Sequence, residues 1–568
     1  MNKQIYNNEL RLKDVGKQVT LYGWVANKRR MGEISFVDLR DKKGITQLKF
    51  ESDVHFTKES VLEVKGLVVE RKDKNPAIET GDIEVVVQEY KVFSESKDQL
   101  PFQIRDDIDT KEEIRLTNRF LDLRRPKLQH DIALRNKFIF ALREFLQSED
   151  FTEIETPILS KATPEGARDF IVPTRNRDKF YALPQSPQLF KQLLMVGGFE
   201  RYYQIARCFR DEDSRKDRQP EFTQLDIEVS FMDVAFLQDK IEQLFKYAMK
   251  KVMGVEITTP FKRLKFDECI RDYGTDKPDL RFDLKIQDIN DFCNETDFNI
   301  IKLAPSKRML HFTEEITKKE FKTLEEIAKK NKVKALFYFV VNNKEIVHSN
   351  FAAKTPEAVT KLLKQFNNES GTYLICADKY ENASQALGAL RVELNSWYKW
   401  ARDEYNFSWI VDWPMFEYDE ESDTWAAAHH PFTQFDHKLE DLDKLPKDQI
   451  KARSYDLVLN GFELGSGSAR ISNNEEQKKM FDLIGMSKET QDNRFGFFLK
   501  AFEYGVPPHC GIGLGIDRII MILTNNKSIR DVIVFPKNSK GEDMFTNAPS
   551  SVEPQQLDEL FLQLKDED

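Results

Sequence analysis

The sequence is poor in cysteine and has no long apolar run. Its five cysteines are scattered over 568 residues without any CxxC pair, so neither a zinc site nor a disulfide framework is indicated. No apolar stretch approaches the roughly 18 residues of a membrane helix. The first ten residues, MNKQIYNNEL, also lack the apolar core of a signal peptide. We therefore expect a cytoplasmic protein without zinc and without a membrane partner.

Length and charge limit what the chain can be. A chain of 568 residues is too long for one hydrophobic core and predicts three or four domains. The net charge of −10 argues only weakly against a nucleic-acid partner, because such binding depends on local basic contacts with phosphates. Lys28, Arg29 and Arg30 form one basic cluster, although by itself such a cluster is more often a solvated loop.

The first hundred residues predict a small β-barrel. Short apolar alternating runs separated by turn residues are typical of an oligonucleotide-binding (OB) fold. The runs are Val19–Val25, Ile34–Arg40, Ile45–Phe50, Val61–Val69 and Ile83–Val92. Alternation places Phe36, Gln47 and Glu84 on the outer face. An exposed ring there can stack on an unpaired base while polar groups read its edge. The periodicity fits equally well with Phe36 in a second small hydrophobic cluster.

The remaining residues divide by composition into a hinge, an interrupted domain and an insertion. The insertion mixes strands such as Ala335–Val341 with helices such as Thr355–Phe366 and holds none of the motifs described below. The predicted segments are the barrel 1–105, the hinge 106–134, the first half of the main domain 135–281, the insertion 282–402, and the second half with a C-terminal extension 403–568. The predicted fold class is multidomain α+β.

A polar row interrupts an otherwise apolar strand at 222–231. Phe222, Gln224, Asp226 and Glu228 fall on one face of this strand. A buried antiparallel strand does not usually place two carboxylates and an amide in a row without something to bind. Arg210, at the end of the preceding strand, can grip a phosphate or a carboxylate with its guanidinium fork. The alternative is a solvated hairpin, which the ring of Phe222 at the head of the row disfavours.

A second hairpin predicts a cation site. The Asn460-Gly461 turn should pair Val458 with Glu463 and place Asp456 diagonally across from Glu463. Two carboxylates, completed by water and phosphate oxygens, are typical ligands of Mg²⁺.

Alternating glycines mark both this hairpin and a later strand. Strict alternation puts Arg470 on the opposite face from Glu463, and Gly465 and Gly467 permit a bulge that would bring the two together. In the segment Gly511–Arg518, glycines at every second position leave one face of a strand without side chains, so that a flat ligand can lie against it. Its spacing is not that of a dinucleotide-binding fingerprint.

Two further segments carry weaker signals. A helix starting at Ser186-Pro187 places Gln188 and Lys191 on one face, although an isolated lysine is more often a surface residue. The pair His429-His430 is too short for a metal-site motif and is more often structural.

Together these segments resemble the three signature motifs of class II aminoacyl-tRNA synthetases, in order at Phe151–Pro157, Phe209–Phe231 and Gly511–Arg518. In detail they are similar to the bacterial aspartyl enzymes over essentially the whole chain. The similar segments are TPEGARDF (163–170), QSPQLFKQ (185–192), FRDEDSRKDRQPEFTQLD (209–226) and GFELGSGSAR (461–470). The segment 282–402 is similar to the insertion that these enzymes share with the B subunit of the glutamyl-tRNA amidotransferase, and is shorter around 300–318.

The resemblance implies an enzyme that activates L-aspartate with ATP, releases pyrophosphate, and transfers aspartate to the 3′ end of tRNA-Asp. It leaves tRNA-Asn open as a second substrate. It implies Mg²⁺ with ATP, an antiparallel catalytic sheet flanked by helices, and a homodimer formed near Pro157. The chemistry needs no protein nucleophile, because positioning and charge stabilisation are sufficient.

The resemblance also implies a role for each matching residue. The implied aspartate-binding residues are Glu165, Gln188, Lys191, Arg210, Asp226, His429 and Arg470. The implied ATP-binding residues are Arg210, Asp211, Glu212, Gln219, Phe222, Glu463, Gly515, Ile516, Asp517 and Arg518, with Arg210, Glu463 and Arg518 catalytic. Mg²⁺ is assigned to Asp456 and Glu463, and tRNA to Arg29, Phe36, Gln47, Glu84, Arg215 and Arg218. Lys191 and Arg470 receive the side-chain carboxylate of aspartate, and Phe222 and Arg518 enclose the adenine.

Four related proteins are rival interpretations. An asparaginyl enzyme normally lacks the insertion and need not bind a second carboxylate, so the two cations Lys191 and Arg470 argue against it. A lysyl enzyme would need acidic side-chain ligands. A non-catalytic tRNA-binding paralogue should have lost ATP residues such as Arg210 and Arg518, which are present here. An asparagine synthetase of related fold would lack the N-terminal barrel.

Overall fold

The computed structural model describes residues 5–163, 166–293, 298–419 and 423–565, without the side chains of 292 and 293. Two compact units make up the chain. The first comprises Met1–Ala133, Ile533–Asn538 and Glu542–Ser550, and the second comprises the rest. Within the described residues, no helix is long and apolar enough to cross a membrane.

The first unit contains a closed five-stranded barrel. Its strands are β1 (Gln18–Met31), β2 (Ile34–Asp41), β3 (Gly44–Phe50), β4 (Val61–Glu70) and β5 (Ile83–Ser94), in the order β1-β2-β3-β5-β4. All five predicted strands are present, and the predicted OB-type barrel is confirmed. The inward positions Leu21, Val37, Leu39, Leu48 and Val85 are fully buried, as the period of two requires.

Short helices occupy much of the predicted hinge. They are α1 (Glu112–Thr117), α2 (Arg119–Asp122) and the start of α3 (Pro126–Ser148). Proline is favoured in the first helical turn because its missing N–H would have no partner there, so residues 126–134 are helical. Arg119 anchors this segment within the first unit, since its buried guanidinium pairs with Asp122 and donates to the backbone oxygens of Ile533 and Val534.

The second unit is built on an eight-stranded sheet whose strands come from both sides of the insertion. Before the insertion lie β6 (Thr152–Glu153), β7 (Ile171–Pro173), β8 (Phe180–Ala182), α4 (Gln188–Val196), β9 (Arg201–Phe209), β10 (Glu221–Ser230), α5 (Val234–Met253), β11 (Lys262–Lys265) and α6 (Phe266–Tyr273). Helix α5 is capped by Asp233 and ends at Gly254 in the left-handed region.

The insertion forms its own five-stranded sheet, in the order β12-β13-β16-β14-β15. Its elements are β12 (Gln287–Asp288), α7 (Asn290–Cys293), α8 (Asn299–Lys302), β13 (Ser306–Phe312), α9 (Lys318–Lys330), β14 (Leu336–Asn342), β15 (Glu345–Ser349), α10 (Pro356–Gln365), β16 (Gly371–Asp378) and α11 (Tyr380–Tyr398). Buried Arg391 ties α11 to the chain leading into the insertion by donating to the carbonyls of Asp279, Phe282 and Leu284.

The second half of the unit completes the large sheet. Its elements are β17 (Phe407–Val411), β18 (Trp413–Pro414), β19 (Phe416–Asp419), β20 (Thr424–Ala427), β21 (Lys451–Ala452), β22 (Ser454–Leu459), β23 (Phe462–Ala469), α12 (Asn474–Leu483), α13 (Lys488–Ala501), β24 (His509–Gly515), α14 (Ile516–Leu523) and α15 (Pro554–Glu559). The strand order is β11-β17-β22-β23-β24-β10-β9-β6. The six central strands are antiparallel, and only the outermost pairs, β11 with β17 and β6 with β9, are parallel.

Helices pack against this sheet through the apolar side of its strands. Leu225, Ile227 and Val229 of β10 are fully buried, and α3 contacts α5 through the rings of Phe138 and Phe245. Helix α3 does not bury all of its apolar side chains, because Phe140 is 63% exposed. The opposite face of the sheet carries the polar row predicted from the sequence.

Candidate functional site

Neighbouring strands align polar residues and glycines in rows across the sheet. Asp226 of β10 lies opposite Gly513 of β24, Gly513 lies opposite Ser466 of β23, and Ser466 pairs with Asp456 of β22. Directly opposed residues share a face. The rows on either side are Gln224–Gly515 and Glu228–Gly511–Ser468. One face of the sheet therefore collects the carboxylates and the bare glycines that the sequence placed on separate strands.

A bulge in β23 brings Glu463 to this same face. The pairing register shifts by one residue between Leu457 and Val458, and Leu464 is the extra residue. Val458 lies opposite Glu463, as the turn predicts. Because a one-residue shift reverses the alternation, Glu463 and Arg470 now share a face.

The alternate glycines serve two different purposes. A Cβ added at Gly511 would lie 1.7 Å from Oε2 of Glu228, so this glycine makes room for a buried carboxylate. A Cβ at Gly515 would meet nothing nearer than the backbone oxygen of Leu464 at 3.5 Å. A Cβ at Gly513 would lie 3.3 Å from Oδ1 of Asp226, so the strand is most open to a ligand at Gly515, whereas the sequence predicted an open face along the whole strand.

A buried cluster of opposite charges lies on the polar face. Lys191 of α4 is 1% exposed and donates from Nζ to Oδ1 of Asp226 at 3.0 Å, with Oε2 of Glu228 at 3.4 Å. Arg470 is 2% exposed and donates from Nε to Oε1 of Glu228 at 2.9 Å. The structure thus brings Lys191 and Arg470 together around Glu228, and the interpretation of Lys191 as a surface residue is wrong.

The pKa values of the two carboxylates in this cluster shift in opposite directions. Burial raises the pKa of Asp226, and the charge of Lys191 offsets only part of the effect. Burial also opposes ionisation of Glu228, but Arg470 and Lys191 together hold the pKa of Glu228 below its ordinary value. Oδ2 of Asp226 has no hydrogen-bond partner among the described residues.

Two neutral histidines lie beside Arg470. Nη1 of Arg470 lies 2.6 Å from Nε2 of His430, and Nδ1 of His429 lies 3.3 Å from Oγ of Ser466. Burial, reinforced by the charge of Arg470, lowers the pKa of His429 to about 4 and holds the pKa of His430 well below its ordinary value. The ring of Trp413 packs edge-on against His429 with centroids 4.8 Å apart.

Arginines and one aromatic ring gather at the Gly515 end of the sheet. The guanidinium of Arg210 lies over the ring of Phe222, 5.1 Å from its centroid, a cation–π arrangement. Arg518, in the first turn of α14, donates to the backbone oxygen of Glu463 and lies 3.2 Å from Oδ2 of Asp217. Nε of Arg518 is buried and has no partner in the described part of the chain.

The side chain of Asp517 holds neighbouring elements of the fold together. Its buried carboxylate pairs with Arg135 of α3 and accepts the backbone N–H of Thr223 at 2.8 Å. Its side chain therefore joins α14 to α3 and β10. The neighbouring positions Gly515 and Ile516 form the N-terminus of α14.

The loop between β9 and β10 contacts the segment before β7. Arg168 and Asp211 form an isolated antiparallel bridge, and Gln185 accepts the N–H of Ala167 at 3.1 Å. Glu165, which precedes this contact, lies outside the described residues. Farther along the loop, Glu212 pairs with Arg218, Arg215 and Arg218 bridge a tight turn, and Gln219 is buried.

Asp456 and Glu463 form a pair of carboxylates with little compensation. Burial, and then the nearby charge of Glu463, raise the pKa of Asp456 well above its ordinary value. Oδ1 of Asp456 is buried and has no partner among the described residues. Those residues include no group of three histidine, cysteine or acidic side chains arranged to hold a metal ion. A cation at this pair would therefore take its other ligands from water and from a bound substrate.

The polar residues predicted for the outer face of the barrel are hydrogen-bonded to one another. Gln47 donates to Oε2 of Glu84 at 2.7 Å and accepts from Arg29 at 3.0 Å. Phe36 is only partly buried and lies outside the barrel core, directly opposite Arg29 on one side and Lys49 on the other. Phe36 therefore has two cationic residues as cross-strand neighbours and is not among the apolar residues that pack against the barrel core.

Comparisons with known proteins agree with this geometry. The family described as tRNA synthetases class II (D, K and N) matches residues 111–539, and the OB-fold nucleic acid binding domain matches residues 19–93. An aspartate–tRNA ligase from Malacoplasma penetrans (strain HF-2) is 46% identical over 99% of both chains. The chain belongs to the aspartate–tRNA ligases of class II.

Other relatives agree with this assignment. The aspartate–tRNA(Asp/Asn) ligase of Caldanaerobacter subterraneus subsp. tengcongensis is 46% identical, covering 98% of this chain and 97% of its own. The crystal structure of an asparaginyl-tRNA synthetase from Pyrococcus horikoshii with asparaginyl-adenylate superposes with a TM-score of 0.60 at 20% identity, covering 94% of this chain and 98% of that one. At such identity the structural likeness concerns the fold alone. The expected fold class and the expected aspartyl-tRNA synthetase activity are confirmed.

Sequence reasoning missed several residues of this aspartate–tRNA ligase. Glu228 stood in the predicted polar row, and its place between Lys191 and Arg470 could have been inferred from the need to compensate two cations. His430, Gln192 and Lys49 gave no distinguishing signal, because each matters only through residues distant in sequence.

A pH-dependent stability is expected from His429. Its folded pKa of about 4 lies below the ordinary value of 6.5, so between these values the unfolded chain binds a proton that the native protein does not. Stability must therefore fall as pH falls through this window, by roughly 2 kcal/mol from pH 7 to pH 5 for this residue. Urea unfolding of the ligand-free enzyme at both pH values measures the loss. His429→Asn should weaken the dependence, and an unchanged slope in that variant would contradict this assignment.

Proposed function

We propose that the aspartate–tRNA ligase binds the side-chain carboxylate of L-aspartate at Lys191 and Arg470. The meeting of these two buried cations on the polar face of the sheet is the observation that carries the proposal. Glu228 lies against both cations, whereas Asp226 pairs with Lys191 through one oxygen, and burial raises the pKa of Asp226. Buried cations favour an anionic ligand that adds to their compensation. Gln188, Asp226, His429 and Glu165 are proposed to complete the aspartate pocket.

ATP is proposed to lie at the open Gly515 end of the sheet. Arg210 grips the α-phosphate and the reacting carboxylate, and the adenine stacks between Phe222 and Arg518. The further ATP contacts are assigned to Asp211, Glu212, Gln219, Gly515, Ile516 and Asp517. Because the side chain of Asp517 already pairs with Arg135 and accepts the backbone N–H of Thr223, it contributes to ATP binding by fixing the position of α14.

The reaction follows from this placement. The α-carboxylate of aspartate attacks the α-phosphate of ATP, and pyrophosphate leaves. The terminal ribose hydroxyl of the tRNA then attacks the carbonyl carbon of the aspartyl-adenylate, gives up its proton and takes the aspartyl group, and AMP leaves. Arg210 stabilises the charge that builds on the phosphate, and the fixed pocket holds the reacting atoms together. No side chain forms a covalent bond.

Mg²⁺ fits the carboxylate pair. Asp456 and Glu463 would hold the ion, because the unpartnered oxygen and the raised pKa of Asp456 call for a nearby cation. When bound, the ion would neutralise phosphate charge and help orient the ATP.

Assembly and RNA binding complete the proposal. A homodimer is proposed through the region of Pro157, because Ile158 and Leu159 beside it are exposed apolar residues and β6 is an edge strand. The RNA is tRNA-Asp, with the anticodon at the Phe36 face and the acceptor end at Arg215 and Arg218. The relative named for both tRNAs makes tRNA-Asn a second candidate. The enzyme is proposed to act in the cytoplasm.

Amino-acid choice tests the Lys191–Arg470 assignment. Pyrophosphate exchange should favour aspartate over asparagine by roughly 10⁴-fold or more, because a neutral amide leaves the buried cations uncompensated. Lys191→Met should reduce that ratio strongly. Lys240→Met removes an ion pair with Glu149 elsewhere in the unit and should leave the ratio unaltered. Exchange with asparagine near the aspartate rate in the unmodified enzyme would overturn the assignment.

The metal assignment is tested by Glu463→Gln. This change removes one anionic ligand without changing size, and pyrophosphate exchange should fall at least roughly 100-fold. The exposed Glu475 of α12 provides the matched control, since Glu475→Gln should leave exchange unchanged. Exchange within a few-fold of the unmodified rate for Glu463→Gln would rule out the metal role.

Anticodon reading is tested by Phe36→Ala. Loss of one base-stacking contact, typically about 1–3 kcal/mol, should lower kcat/KM for tRNA charging by roughly 10- to 100-fold. Pyrophosphate exchange without tRNA and the thermal midpoint should stay unchanged. Leu39→Ala, in the barrel core, should instead cost about 2–5 kcal/mol of stability. A destabilised Phe36→Ala variant with normal charging would favour a packing role. The same assay with tRNA-Asn tests the second candidate substrate.

A further inference from the structure

A chain of buried hydrogen bonds runs from the proposed aspartate pocket into the sheet. Nε2 of Gln188 lies 2.9 Å from Oε1 of Gln192, one turn later on α4. Nε2 of Gln192 lies 3.1 Å from Nε2 of His509 on β24. Nδ1 of His509 lies 2.8 Å from the backbone oxygen of Pro507. Gln188, Gln192 and His509 are 5%, 0% and 3% exposed, so water does not compete for these contacts.

The direction of every bond in this chain follows from its last member. The oxygen of Pro507 can only accept, so Nδ1 of His509 must carry a proton. Burial lowers the pKa of His509, which keeps the ring neutral and leaves Nε2 as an acceptor. Gln192 must therefore turn its NH₂ group toward His509 and its oxygen toward Gln188.

The same reasoning fixes the amide of Gln188. Because Oε1 of Gln192 accepts, Gln188 must present its NH₂ group to it, which turns Oε1 of Gln188 away. Among the described residues, the side chain of Gln188 makes no other hydrogen bond. Its oxygen and one N–H are thus left for a ligand, in an orientation set three groups away.

We propose that Gln192 and His509 are positioning residues that fix the amide orientation of Gln188 and so the alignment of the bound aspartate. This inference rests on the proposed function, since it requires that Gln188 touches aspartate. His509 also accepts the backbone N–H of Arg470 through its own backbone oxygen at 3.0 Å. Side-chain variants of His509 leave that second link in place.

Two variants test this hydrogen-bonded relay, which runs from Gln188 through Gln192 to His509. Gln192→Met keeps the length of the side chain and removes both bonds, and His509→Leu removes the acceptor. Each should raise KM for aspartate about 10-fold in pyrophosphate exchange, the effect of one misaligned hydrogen bond, with KM for ATP within about twofold. The double variant should be no worse than either single one, because both interrupt one chain.

A conservative variant and a control separate positioning from loss of packing. His509→Gln offers an acceptor in place of the lost ring nitrogen and should recover most of the aspartate affinity that His509→Leu loses. Gln491→Met removes another buried amide, which donates to Asp482 and to the backbone oxygen of Met486 on the same unit. It should lower the thermal midpoint without changing KM for aspartate.

The outcomes distinguish the relay from the site it serves. Gln188→Ala should raise KM for aspartate if the pocket is assigned correctly, and an unchanged KM overturns the pocket and the relay together. If Gln188→Ala raises KM while Gln192→Met and His509→Leu leave it within about twofold, the pocket stands and the relay is wrong. Effects of the two single variants that multiply in the double variant also overturn the relay. If His509→Gln behaves like His509→Leu, the acceptor is not what matters.

Discussion

The ionised carboxylate of Glu228 lies between two buried cations, and much of the second unit is arranged around it. Removing one partner from a buried charge pair leaves an uncompensated charge, which typically costs about 3–5 kcal/mol. Lys191 reaches Glu228 from α4, and Arg470 reaches it from the end of β23. These two elements must therefore meet over β10. Gly511 is required opposite Glu228 because any side chain there would collide with the carboxylate.

The same charge arrangement connects stability with ligand selection. Glu228 faces both cations, whereas Asp226 pairs only with Lys191 and leaves one oxygen without a partner among the described residues. A ligand carboxylate can add to the compensation of the two cations, whereas an amide cannot. The neutral histidines next to Arg470 contribute in the same direction, because they approach the cation without cancelling its charge.

In the barrel, strand alternation alone separates the core from the proposed recognition surface. A closed barrel has one inner and one outer face, and the inner positions are filled by Leu, Val and Ile side chains. The outer positions are then free for polar residues, and Arg29, Gln47 and Glu84 form a hydrogen-bonded line beside Phe36. Rings and hydrogen-bonding groups placed together on a pleated surface suit an unpaired base.

Local sequence patterns were sufficient for the strand faces and for the family. Alternation placed Phe36 outside the barrel core and Asp226 with Glu228 on one face, and the Asn460-Gly461 turn set Val458 opposite Glu463. These features depend on neighbours a few residues apart, for which the period of a strand is sufficient. The burial of Lys191, the bulge at Leu464 and the contact between Gln192 and His509 became known from the assembled fold. Those contacts join residues such as Arg470 and Glu228, which lie 242 positions apart. No local pattern records such a separation, because the partner's position depends on how the whole sheet is assembled.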